Sequence, residues 1–134
     1  MSEKNIKIEY DESHLLEFAN IKICDGFIKF NVSMRSKRFS GSTTFMSETT
    51  SFHKLLDYSE KDKKIDDSVI IYKDQYTQDS YIMITQIDNL GHFNIVGNII
   101  SHSNPHESAH IEFVIDQTII QKLALDIKEL LAIL

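Results

Sequence analysis

Apolar and polar residues alternate with a period of two along most of the chain, and this alternation predicts β-strands. The clearest example is 27–35, where Phe30 and Val32 point one way while Lys29 and Asn31 point the other. A strand of this kind has one apolar face and one wet face. The predicted strands, in chain order, are 5–10, 15–23, 27–35, 39–45, 69–72, 81–87, 93–100 and 109–115.

The connections between these strands are short and carry turn residues. Cys24-Asp25-Gly26 and Asp88 to Gly91 both predict tight turns, because Gly supplies positive φ at no steric cost. Short connections favour antiparallel pairing over parallel crossovers. Gly41, inside a predicted strand, indicates a bulge or a close backbone approach.

Two segments change to the helical period. Phe52, Leu55 and Leu56 form an apolar stripe that predicts a short helix near 48–58. A longer apolar stripe begins at Ile119, and Thr118 with Gln121 matches a capping box. The predicted fold is therefore α+β: a single domain, 1–134, in which a curved antiparallel β-sheet of about six to eight strands packs on a C-terminal α-helix.

Composition limits which kinds of partner, and which cellular compartment, are expected for this protein. The chain has 134 residues and a net charge of −6, and this charge disfavours nucleic acid because phosphate contacts need clustered Lys and Arg. Cys24 is the only cysteine, so an internal disulfide is excluded and a reducing compartment is expected. No export segment or membrane-spanning run is recognisable. These features predict a cytoplasmic protein with neither nucleic acid nor membrane as partner.

The histidines are the first candidates for chemistry. His102, His106 and His110 are spaced four apart, but Pro105 interrupts the helix that would align them as metal ligands. We therefore interpret them as loop and surface residues and predict no metal site. Adventitious zinc or nickel binding remains an alternative.

Other candidates for catalysis are isolated. His92 follows Gly91 at a strand start, where Asp88 or Asp116 could orient it as a base, although a structural hydrogen bond is the commoner role there. Phosphate-binding Gly-rich motifs and a nucleophile elbow are absent. No catalytic residue or cofactor is predicted, and the chain is not expected to be an enzyme.

The acidic residues around 57–67 are the candidate partner-binding site. They are Asp57, Glu60, Asp62, Asp66 and Asp67. Neighbouring lysines dilute this charge, so an ordinary solvated loop is one interpretation. The other is a patch that steers a basic partner toward the protein.

Several short motifs together resemble the small immunity proteins of bacterial polymorphic and contact-dependent toxin systems, of the WapI-type and CdiI-type groups. The likeness runs from about Gly26 onward. Its motifs are Met34-Arg35-Ser36, Phe39-Ser40-Gly41, the short helix with Phe52 and Leu55, D-x-x-G-H-F at Asp88 to Phe93, and D-Q-T at Asp116 to Thr118.

The resemblance implies a binder that neutralises a cognate toxin C-terminal domain, expected to be a basic nuclease, as a monomer in a 1:1 complex. An acidic inhibitor suits such a target, because carboxylates can occupy the positions of substrate phosphates. Interface residues are not carried over by these motifs. The alternatives are a small ligand-binding domain or enzyme that uses a pocket on the sheet, with His92 beside Asp88 or Ser33, and a homomeric scaffold.

Overall fold

The computed structural model describes residues 5–60, 68–77, 79–88, 90–101 and 106–132. Eight strands and two helices lie within these residues. They are β1 (Ile6–Asp11), β2 (His14–Cys24), β3 (Phe27–Ser36), β4 (Phe39–Glu48), α1 (Thr49–Glu60), β5 (Ser68–Tyr72), β6 (Tyr81–Gln86), β7 (His92–Ile100), β8 (Ser108–Asp116) and α2 (Gln117–Ala132).

The α+β class, the antiparallel pairing and both helices are confirmed. The strands are divided between two four-stranded sheets, in the orders β1-β2-β3-β4 and β5-β6-β7-β8. Each strand pairs with its neighbour in the chain, which is the arrangement that short connections favour. We call these the first sheet and the second sheet.

In the first sheet, alternation places the apolar residues of neighbouring strands side by side on the inward face. Phe18 pairs with Val32, and Val32 pairs with Thr43, so the three share this face. The outward positions carry polar and charged side chains such as Glu17 and Arg35. β2 is irregular, with a register shift between Ala19 and Lys22.

Residues with positive φ occupy the tight connections. Asp25 and Gly26 have φ values of 43° and 86° in the β2–β3 turn, and Gly91 has 89° in the β6–β7 turn. Both turns were predicted from these glycines. Lys37 in the β3–β4 turn has φ 56°, a value that glycine adopts at lower cost.

The two sheets meet where small residues allow close approach. A Cβ placed on Gly41 of β4 would lie 3.0 Å from Cβ of Ala109 and 3.2 Å from Cβ of Ile99. A Cβ on Gly97 of β7 would overlap the sulfur of Met34 from β3. The predicted close approach at Gly41 is thus confirmed, and the neighbour is the second sheet.

Both helices bury their apolar faces in the same core as the sheets. Phe52 of α1 is fully buried, and its ring lies edge-on to Phe18 and Phe30. Helix α2 contacts α1, β1 and the last two strands. Its buried side chains are Ile120, Leu123, Ala124, Ile127 and Leu130.

Two local predictions are wrong. Helix α2 begins at Gln117, and Oδ1 of Asp116 accepts a hydrogen bond from the Ile119 backbone N–H at 3.1 Å. Asp116 is therefore the N-cap, and Thr118 already lies in the first helical turn. Phe39 was placed with the inward residues of its strand, but the two sheets do not cover that end and the residue is 73% exposed.

Enlarging Gly41 tests the contact between the sheets. The nearest atoms are Cβ atoms whose positions are set by the backbone, so Gly41→Ala requires the facing strands to shift by a few tenths of an ångström and should cost about 1–3 kcal/mol of unfolding free energy. Urea denaturation measures this cost, with Ser40→Ala on the exposed face of the same strand as control. An unchanged midpoint for Gly41→Ala would contradict the close approach.

A substitution at Thr43 is expected to raise the free energy of unfolding, whereas Gly41→Ala is expected to lower it. The residue is 8% exposed, and its Oγ1 has no hydrogen-bond partner within the described ranges. Thr43→Val should raise the unfolding free energy by about 1 kcal/mol, because it removes a buried hydroxyl whose hydration was lost. The neighbouring Thr44→Val is the control, since Thr44 donates to Asn31 at 3.2 Å and should gain nothing. Thermal unfolding that shows Thr43→Val less stable than wild type would refute the account.

Candidate functional site

The predicted acidic patch is only partly visible. Asp57 is exposed on α1. Glu60 is the last residue of that helix, and its side chain is not described. Asp62, Asp66 and Asp67 lie outside the described residues, so their role in binding stays a prediction. Asp67 directly precedes Ser68, the first residue of β5.

His92 and Asp88 are brought together as the sequence suggested. Nδ1 of His92 lies 2.7 Å from Oδ2 of Asp88, whose Oδ1 accepts the backbone N–H groups of Leu90 and His92. Desolvation acts to raise the pKa of Asp88, but the hydrogen bonds from His92 and the backbone outweigh it and the pKa is lowered. The pair closes the β6–β7 turn, which is the structural role expected for His92.

The other candidate side chains are dispersed. His106 and His110 line different clefts, and His102 lies outside the described residues. Within the described part of the chain, no three metal-ligating side chains come together. Cys24 is exposed at the end of β2, and Ser33 donates to Ser42 at 3.3 Å on the outward face of the first sheet.

The outward side of the second sheet carries an apolar feature that the sequence reasoning did not anticipate. Ile70, Met83 and Val96 lie side by side across β5, β6 and β7. Tyr72 and Tyr81 form the adjacent row. These five residues are called the apolar band below. Val96 is only 8% exposed although it lies at an outward position, where it is paired with Met83 and Glu112.

The sequence signal for this band is the loss of alternation in β5 and β6. Both segments, S-V-I-I-Y and Y-I-M-I-T-Q, are apolar at inward and outward positions alike. Such runs indicate a strand that is covered on both faces. Within the described chain, helix α1 borders this face at β5, where Ile70 and Tyr72 line a cleft with Lys54. Ile70, Tyr72, Tyr81 and Met83 remain partly exposed.

Charge separates this surface from the opposite one. Strands β5 to β8 contain neither Lys nor Arg, and their acidic residues are Glu112 and Asp116 in β8. The outward positions of the first sheet instead carry several cations. They are Lys7, Lys22, Lys29 and Arg35. The molecule therefore has one cation-bearing sheet face and one nearly uncharged sheet face with an acidic edge.

Hydrogen bonds between neighbouring strands fix the polar residues beside the apolar band. Nδ2 of Asn94 donates to Oε1 of Glu112 at 2.7 Å, and Nδ2 of Asn98 donates to the Asp79 carbonyl oxygen at 2.7 Å. The hydroxyls of Ser68 and Thr85 lie 2.9 Å apart. Side chains held in this way lose little conformational entropy on binding a partner.

This outer face of the second sheet has the composition of a protein contact surface. Tyr and Met are enriched at interfaces and Lys is depleted. The largest apolar patch on a monomer is often functional, although patches of this size are ordinary. From strand spacing and rise, the outward positions of the four strands span roughly 500 Å². A standard interface buries about 800 Å² on each partner, so a partner would also reach the surrounding loops.

A second polar feature lies at the end of the first sheet, where β1 turns into β2. The Oδ atoms of Asp11 lie 2.8 and 2.9 Å from Nδ1 of His14, and Oδ1 also accepts the Ser13 backbone N–H at 2.7 Å. The hydrogen bond from His14, followed by that from Ser13, lowers the pKa of Asp11 to about 2. The His14 ring packs on Phe113 of β8, with 5.3 Å between ring centres.

Comparisons with protein-family models, with curated proteins and with solved structures found no match. Neither helix of the described residues is long and apolar enough to cross a membrane.

The lowered pKa of Asp11 predicts an acid-sensitive contact. The folded state favours the carboxylate, so the stabilisation is complete above the ordinary value of 3.8 and is lost as the pH falls through about 2. Carbon-detected NMR titration should give Asp11 a midpoint near 2. His14→Phe keeps a ring against Phe113 but removes the donor, so the midpoint should move back toward 3.8. Equal midpoints in the two proteins would contradict the assignment.

Proposed function

We propose that this protein is an immunity-type inhibitor that binds a basic toxin domain and covers its active site. The observation that supports the proposal is the outer face of the second sheet, a preformed apolar and aromatic surface on strands that contain neither Lys nor Arg. Such a surface suits a protein partner, because a flat apolar band with a polar rim gives area and specificity together.

The charge distribution favours a cationic partner. The chain has a net charge of −6, and the only formally charged side chains in β5 to β8 are acidic. Asp66 and Asp67 directly precede Ser68, which begins the outer face at β5. A nuclease holds its substrate phosphates in a basic cleft, so an acidic protein would be steered toward it and would compete with the nucleic acid.

Inhibition by occlusion requires a rigid surface more than it requires reactive groups. The apolar band lies on paired strands, and its polar neighbours are already hydrogen-bonded. Tyr72 and Tyr81 can supply the aromatic anchors that carry much of the binding energy in tight complexes. We infer a stoichiometric 1:1 complex in the reducing cytoplasm, where Cys24 would remain a thiol.

Co-expression tests the function itself. Cells that produce the toxin domain encoded by the neighbouring gene should survive when this chain is present and die when it is absent. A pull-down of the two purified proteins should give equal amounts of each. Equal killing with and without the chain would remove the proposal.

Substitution on the apolar band tests where the partner binds. Tyr81→Ala should weaken toxin binding by about 2 kcal/mol or more, roughly thirtyfold, and Met83→Arg should abolish protection because it places a charge in the desolvated centre. Both side chains point away from the core, so the melting temperature should change little. Affinity is measured by calorimetry with the purified toxin domain.

The matched control is Leu15→Arg, which changes a half-buried apolar residue on the outward face of the first sheet. It should protect cells as wild type does. If Met83→Arg protects equally well while wild type also protects, the function stands and the binding surface lies elsewhere.

A further inference from the structure

A cationic cleft lies where the β3–β4 turn of the first sheet projects over β8 of the second. Its volume is about 470 Å³. The side chains that give it its chemistry are His14, Lys37, Arg38, Phe39, His110 and Glu112. The cleft holds two permanent cations, two imidazoles and one carboxylate. Its local charge is therefore positive, although the chain has a net charge of −6.

The turn that carries the cations is anchored in place. The backbone N–H of Lys37 donates to the Ser13 carbonyl oxygen at 2.8 Å, which ties this turn to the β1–β2 turn. Lys37 holds φ 56°, although glycine would occupy that conformation at lower cost. The chain thus keeps a cation at a position where the backbone alone favours glycine.

An aromatic ring stands beside the cations. Phe39 follows Arg38 at the start of β4, lines the cleft and is 73% exposed. Most of its ring is therefore available to a flat ligand. Stacking on an exposed aromatic ring is the usual way in which proteins hold nucleobases, and it tolerates any base.

The opposite wall of the cleft is polar and fixed. Asp11 orients the His14 ring from one side, and the ring of Phe113 supports it from below. His110 projects from the outward face of β8 at the mouth. Since Nδ1 of His14 donates to Asp11, the donors left for phosphate oxygens are the His110 N–H and the two cations.

We propose that this cleft binds a single nucleotide, with the phosphate between Lys37 and Arg38 and the base stacked on Phe39. The volume favours a ligand of this size, since small-molecule sites begin at about 300 Å³. A long nucleic acid is disfavoured by the net charge of −6, whereas one phosphate interacts mainly with the local cations. The cleft shares His110 and Glu112 of β8 with the outer face of the second sheet, but the proposal does not rest on toxin binding.

NMR titration of the ¹⁵N-labelled chain tests the proposal with adenosine 5′-monophosphate as the probe. Saturable shifts should cluster at Lys37, Arg38, Phe39 and His110. Inorganic phosphate alone and adenosine alone should each bind at least about tenfold more weakly, because each lacks one half of the contacts. Shifts that do not saturate, or that lie away from the cleft, would overturn the proposal.

Variants separate binding from folding. Lys37→Gly removes a cation while relieving the positive φ, so the protein should melt at an equal or higher temperature and bind the nucleotide about tenfold more weakly. Arg38→Gln and Phe39→Ala should each weaken binding by a similar factor. The control Lys29→Gln, on the outward face of the first sheet, should bind as wild type does.

Unchanged affinity in Lys37→Gly and Phe39→Ala would contradict the assignment. A second pair of results would also contradict it: the nucleotide causes no shifts, and Phe39→Ala weakens binding of the toxin domain. Phe39 would then be a contact of the protein partner.

Discussion

The close approach of the two sheets at Gly41 and Gly97 is the constraint on which the rest of the structure depends. A Cβ at Gly41 would press on Ala109 and Ile99, and a Cβ at Gly97 would overlap the sulfur of Met34. This contact places the inward faces of both sheets in one core with the helices. A core filled in this way leaves the outward faces and the edge clefts as the surfaces for recognition.

The asymmetry between the two outward faces follows from this arrangement. Single apolar residues on a surface are normal, but a contiguous band of Ile70, Met83 and Val96 beside two tyrosines is costly to expose. The first sheet shows that this chain can build an outward face of Lys, Glu and Ser. The strands of the second sheet carry charged residues only in β8, which is why the proposed inhibitory role is assigned to its outer face.

Electrostatics divides the molecule in the same sense. Acidic residues border the apolar band, while Lys37 and Arg38 are concentrated at one turn above β8. Both kinds of charge thus meet along β8, one of the two edge strands of the second sheet, where Glu112 belongs to the acidic edge and also lines the cleft. The two proposals differ in the side chains that carry them, which are the apolar band for the protein partner and Lys37, Arg38 and Phe39 for the nucleotide.

The sequence alone determined the strands, the turns and both helices, because period-two alternation, Gly26, Gly91 and the α2 stripe are local signals. It also held the composition of the apolar band, through the lost alternation of β5 and β6. Tertiary structure decided the division into two sheets, the exposure of Phe39 and the choice of Asp116 as helix cap. It also brought Arg38 to His110 across the sheet boundary. These features depend on which strands pack together. That packing is determined by the shapes and volumes of side chains that are distant in the chain, so local sequence patterns do not reveal it.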